Sequence, residues 1–249
     1  MIVTFCLRLA AGMILILPAL PASDLPPRFF RVHFLTALGL LGVVGVFVAD
    51  SATPAFWALY AGAVLWCVFG SIVWHLNDAP GGRLAIWITP IVLSACMVLG
   101  GMLIRSDRDS ALRIADDIAS ALVVGSAITA MLIGHSYLIS PAMTITPLMR
   151  LLAALGIAIL IRLTLACYGL WIWSTDQRIA SMETELLLWL SVRWALGLFA
   201  PMILGWMAWE TARIRSTQSA TGILYVVVIV CFLGELTSML IAEKTGFPL

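Results

Sequence analysis

Residues Ala115–Ser140 read ADDIASALVVGSAITAMLIGHSYLIS. Two aspartates open the stretch and a histidine stands near its close. The segment between them carries no charge and is apolar. A helix rises about 1.5 Å per residue, so about 20 such residues cross the hydrocarbon core of a bilayer. Apolar runs of similar length lie on both sides of this one, which makes the chain a polytopic membrane protein.

Composition supports that reading. Of 249 residues, 62% are hydrophobic and 11% are charged, and mean hydropathy is +1.08. A soluble domain carries roughly 25% charged residues, so too few are present to cover a water-exposed fold. The apolar runs are continuous rather than short and alternating, which points to helices and away from a membrane barrel. The net charge of +1 gives no basis for nucleic-acid binding. Cys6, Cys67, Cys96, Cys167 and Cys231 all fall in apolar runs and form no Cys-x-x-Cys pair. They support neither disulfide, iron–sulfur nor thiol-redox chemistry.

Working outward, the expected architecture is an all-α bundle of about eight transmembrane helices in one transmembrane domain. The expected spans are 2–20, 33–50, 55–76, 84–104, 115–139, 148–173, 185–209 and 221–242. The first, with Arg8 inside it and Pro18-Ala-Leu-Pro21 at its end, resembles a secretory signal peptide; we read it as a membrane span. Residues 21–32 are expected to form a proline-rich connection, 105–113 a charged one, and 141–147 a loop dipping into the interface. Pro90 and Pro201 are expected kink positions. No loop is long enough for a soluble domain, and no internal repeat is evident.

Eight spans place both termini on one side, here side B. Side A then carries Arg28, Arg31, Arg83, Arg150, Arg213 and Arg215, against Arg105, Arg108, Arg113, Arg178 and Lys244 on side B. The excess of one favours a cytoplasmic side A. The expected location is the inner, cytoplasmic membrane of a bacterium, with non-cytoplasmic termini.

The alternation also sets depths. His33, His75 and His135 all fall at shallow depth on side A. Two facing imidazoles on adjacent antiparallel spans can ligate a b-type haem, so His33, His75 and His135 are the candidate metal ligands. Arg8, Arg193 and Glu235 lie inward from side B, and Arg162 lies near mid-span. A charge in hydrocarbon is costly and turns toward the bundle interior or a cavity. The simplest arrangement pairs Arg193 with Glu235 across the last two spans. Arg162 then needs an acceptor, either from Asp50, Asp116 or Asp117 or from a cofactor. Asp116 and Asp117 read as first-turn charges favourable to the helix dipole, or as the mouth of a proton path along Ser120, Ser126 and Thr129.

These features suggest a membrane subunit of a respiratory or electron-transfer complex. It would anchor other membrane and extramembrane redox subunits and offer a quinone or proton-coupling site. Arg162, Arg193, Glu235, His135 and Tyr137 are the candidate quinone-contacting residues. Lipids complete the expected partners. The general shape resembles the hydrophobic quinone-site anchors of respiratory enzymes, an architectural likeness that carries no residue assignments. A small proton- or ion-coupled transporter and a purely structural subunit are the alternatives. An enzyme acting on lipid ranks below them, because no His-x-x-x-His box or nucleophile–base arrangement is present.

Overall fold

The computed structural model describes residues 1–48, 52–76, 81–104, 110–140, 143–176 and 184–247. Among them are eight helical spans long and apolar enough to cross a membrane. The fold is an all-α bundle of the polytopic membrane kind. Large apolar side chains stay exposed along the spans, such as Leu65 at 68%, Ile91 at 69% and Trp206 at 65%. In water those surfaces would drive aggregation; against lipid tails they are the matched solvent.

The helices are α1 (Ile2–Leu15), α2 (Pro27–Phe47), α3 (Pro54–Val73), α4 (Gly82–Ile104), α5 (Ser110–Ile139), α6 (Thr146–Asp176), α7 (Thr184–Trp194), α8 (Ala200–Arg213) and α9 (Thr217–Thr245). A 3-10 turn, Leu17–Ala19, extends α1, and a π-helical turn, Ala195–Phe199, joins α7 to α8 into one span. The chain divides into two compact units, Met1–Ser106 and Asp107–Leu249.

In the first unit each helix packs on its sequence neighbour and α1 closes against α4. Tyr60 of α3 donates to the Leu41 carbonyl of α2 at 2.9 Å. The second unit repeats that order: α5 packs on α6, α6 on α8, α8 on α9, and α9 on α5. Val123, Ala127, Leu155, Ala158, Ile159, Val227 and Cys231 form an apolar core from α5, α6 and α9. Both units are thus four-span rings closed between first and last span, although the sequence shows no repeat.

Three helix starts differ from expectation. α2 starts at Pro27 rather than at 33, since proline at the first helical position lacks only an N–H that would be unbonded there anyway. α3 starts in the same way at Pro54, with the Thr53 side chain accepting from the Phe56 N–H at 3.3 Å. α5 starts at Ser110 rather than at 115, so Arg113 lies inside the helix instead of in its approach, and Asp116 and Asp117 lie beyond the first turn. α4 runs through Pro90. Asp50, residues 77–80, 105–109 of the charged connection, 141–142 of the interfacial loop and 177–183 lie outside the described residues.

Candidate functional site

Among its described residues the second unit holds three buried arginines and three buried carboxylates: Arg113, Arg162 and Arg193 with Asp116, Asp117 and Glu235. Every span of the unit contributes. Arg113, Asp116 and Asp117 come from α5, Arg162 from α6, Arg193 from α7 and Glu235 from α9. The formal charges cancel, as burial demands. An isolated ion moved into a low-dielectric interior costs several kcal/mol even after relaxation, and paired ions offset that only with additional hydrogen bonds.

Arg162 is the hub. Its Nη1 forms an ion pair with the Asp116 carboxylate and also reaches the Asp116 backbone carbonyl at 3.3 Å. Its Nη2 donates to Ser238 Oγ at 2.9 Å and faces Glu235 Oε2 at 3.5 Å. The Ser120 hydroxyl donates to that same Glu235 oxygen. The planar fork of the guanidinium explains why an arginine occupies this place. It presents parallel N–H groups to two acceptors at once, while an ammonium is a point charge. The acceptor for Arg162 is therefore Asp116, one of the sequence candidates, with Glu235 beside it.

Arg193 is buried at the same crossing. It lies one helical turn before Gly197, and its Nη1 would sit 2.7 Å from a Cβ placed there. That same Cβ would lie 2.6 Å from the Gly234 Cα on α9. Only two glycines allow the backbones to approach this closely. Gly234 immediately precedes Glu235, so the Arg193 guanidinium lies beside the backbone that carries the carboxylate. The Glu235 Oε2 contacts described above go to Arg162 and Ser120.

The π turn has a local cause. Pro201 has no N–H to offer the Gly197 carbonyl and its ring crowds the preceding turn. The Ala200 N–H bonds to Ala195 O instead, which widens the helix by one residue. Such turns are frequent at functional sites. Pro201, an expected kink position, stands at the start of the helix that follows this turn.

The serine and threonine stripe of α5 divides. Ser120 turns to Glu235, whereas the Ser126 hydroxyl returns to its own helix at the Leu122 carbonyl, 2.5 Å away. Asp116 and Asp117 are buried charges within the helix rather than first-turn charges. Sequence reasoning missed Ser238 and Arg113 as members of the buried set. The signal was available for Arg113: it stands three and four residues before Asp116 and Asp117, which places all three on one helical face.

The histidines occupy three different surroundings. His33 is fully buried. Its Nδ1–H donates to the Phe29 carbonyl at 2.8 Å, and its ring lies 4.4 Å from that of Phe29. His75 is exposed, and its Nδ1 accepts from Arg31 Nη1 at 3.0 Å. His135, also exposed, has Nδ1 3.5 Å from the Tyr225 hydroxyl. Tyr137 is buried and donates to the Thr144 carbonyl at 2.5 Å. Among the described residues no three His, Cys, Asp or Glu side chains stand close enough to hold a metal ion together. Arg8, in the first unit, is buried in α1.

Comparison of the chain with protein-family models, with curated proteins and with solved structures gives no match.

Proposed function

We propose that this membrane protein is a subunit of a respiratory or electron-transfer complex, and that the charge network of its second unit is a proton-coupling element serving a quinone. The observation that carries the proposal is the position of Glu235. Its carboxylate is shared between a guanidinium at 3.5 Å and a serine hydroxyl. Arg162 holds Asp116 in a direct ion pair, so Glu235 is the acid that can take a proton while the arginine keeps a counter-charge. The Ser120 hydroxyl suits either state. It donates to the ionised acid and accepts from the neutral one. Reduction of a quinone to a quinol takes up two electrons and two protons. In this reading the electrons come from an extramembrane redox subunit, and Glu235 relays protons in the membrane. Arg162 and Arg193 supply donors for a quinone carbonyl, with His135 and Tyr137 as further candidates near the far ends of the spans.

The test is isolation of the tagged chain from its native membrane with its partners. A co-purifying redox subunit together with extractable quinone is the expected result. Isolation of the chain alone, without quinone, would remove the basis for the reading.

A second reading, a small proton- or ion-coupled transporter, is favoured by the π turn beside Arg193. Many carriers place coupling groups where a span is interrupted. Solute uptake into liposomes by the purified chain alone would select it.

A further inference from the structure

The charge network of the second unit lies off-centre between the two ends of its spans. Asp116 stands six residues into α5, Arg193 nine residues into α7, and Glu235 ten residues before the end of α9. At a rise of 1.5 Å per residue these depths are about 9–15 Å from side B, where α5 and α7 begin and α9 ends. Toward side A, Glu235 has 18 residues of α9 before it and Asp116 has 23 of α5 after it, about 27–35 Å of helix. Contacts within the unit fix which ends belong together. Lys244, near the end of α9, pairs with Glu185 at the start of α7. At the other end Gly134 of α5 lies against Thr221 of α9.

Between the network and side A the interior of the unit is apolar. Val123, Ala127, Leu155, Ile159, Val227 and Cys231 pack into one buried cluster. Each follows a network residue along its own helix in the direction of side A. Val123 and Ala127 stand three and seven residues beyond Ser120, Ile159 and Leu155 three and seven before Arg162, and Cys231 and Val227 four and eight before Glu235. Seven or eight residues are about two turns and return to nearly the same helix face. The cluster therefore lies directly on the network as a layer about 11 Å deep. The hydroxyls of α5 stand off that face: Ser126 and Thr129 are turned from Ser120 by about 120° and 180° around the helix. The Ser126 hydroxyl bonds to the Leu122 and Val123 carbonyls of its own helix. Toward side B the polar side chains continue instead, with Asp117 and Arg113 buried in the first turns of α5. The apolar cluster at that end, Trp173, Ile241 and Phe247, joins α6 to α9 and does not include α5.

We propose, resting on Glu235 as the acid that takes up protons, that the network exchanges protons with side B alone and that the apolar layer seals it from side A. The second unit is then a blind half-channel rather than a path through the membrane. A proton taken up by the Glu235 carboxylate comes from side B and leaves to a reduced quinone oxygen, and none passes to side A. The groups that tune this exchange are Asp116 and Ser120 from α5, Arg162 from α6 and Arg193 from α7. Asp117 and Arg113 lie toward side B, and α8 adds no buried charge among the described residues. A charge in hydrocarbon is costly and follows polar side chains or a water-filled cavity. Polar side chains lead from Glu235 toward side B, and the layer of six apolar ones interrupts them toward side A.

The test is time-resolved infrared spectroscopy of the full-length protein in liposomes at one molecule per vesicle. A C-terminal tag and a resin separate vesicles with side B outward from those with side A outward. The readout is the carboxylic-acid band that Glu235→Gln removes, followed after a drop in pH of the outer solution. The band is expected to grow about 100-fold faster with side B outward, a barrier difference of about 2.7 kcal/mol. Leu155→Asn places a polar group in the layer and is expected to narrow the difference to about tenfold; Val227→Thr, nearly the same in shape, narrows it in the same direction. Equal rates in the two orientations, or a faster response with side A outward, overturn the seal and leave Glu235 a proton-taking acid. An unchanged difference in both layer variants, with melting temperature retained, overturns the apolar cluster as the barrier. Absence of the band in both orientations at every pH overturns the reading of Glu235 itself, and this inference with it.

Discussion

Arg162 of α6 and Glu235 of α9 face one another at 3.5 Å in the core of the second unit, and the Ser120 hydroxyl of α5 closes on the same carboxylate oxygen. Three spans thus meet at one oxygen atom. Because Arg162 also holds Asp116, removal of any one charged member leaves an unbalanced charge in the buried core.

Arg162→Met tests that dependence. It leaves Asp116 and Glu235 buried without their cation. Breaking a buried pair from one side costs about 3–5 kcal/mol, so the variant is expected to accumulate poorly and to melt well below the parent in detergent. The double variant Arg162→Met, Asp116→Asn removes one charge of each sign and restores the balance of the buried set. Recovery of most of the melting temperature without recovery of turnover is expected. Full activity in the double variant would show that Arg162 and Asp116 serve packing only.

Ser120→Ala removes one hydrogen bond from Glu235 without altering charge. A hydrogen bond to a charged group is worth about 1.5–3 kcal/mol. The expected loss of stability lies in that range and is measurable by thermal or denaturant melts. Ser126→Ala is the control, since its hydroxyl returns to carbonyls of its own helix, those of Leu122 and Val123. It is expected to change stability by less than about 1 kcal/mol. Equal losses in the two variants would contradict the assignment of Ser120 to the network.

Gly234→Ala places a methyl group against the backbone of Gly197. The collision is with main chain, so no side-chain rotation relieves it. Separation of α9 from the π turn is expected, with a destabilisation of about 1–3 kcal/mol as for other overpacked contacts. The same shift moves Arg193 away from the Glu235 layer. Gly222→Ala, at a position of α9 with nothing within 4 Å, is expected to be neutral in the same melting assay.

The eight spans were legible because hydrocarbon imposes length and apolarity on each segment separately, and both can be counted from residues alone. Pairing was less legible because it depends on where a helix starts. Beginning α5 at 115 leaves Arg113 in a loop and the aspartates at a helix mouth. Beginning it at Ser110 draws all three into the bundle. Arg162 stood out as a mid-span charge in need of an acceptor, and Asp116 was among the acceptors considered. Ser238 was invisible because a serine in a span most often bonds its own helix, as Ser126 does. The closure of each four-span ring could not be read either. It rests on contacts between helix faces that carry no shared motif.

Glu235→Gln gives the most direct measurement of the central claim. Glutamine keeps nearly the same shape and can still accept from Ser120, but it cannot take and release a proton. In the native complex, the measurement is quinone turnover together with proton uptake, with assembly and melting followed in parallel. The expected result is an assembled complex whose proton uptake and quinone turnover fall by about 100-fold, the range contributed by a positioned proton-transfer group. Unchanged turnover and proton uptake in an intact complex would contradict the account and leave Glu235 a packing residue.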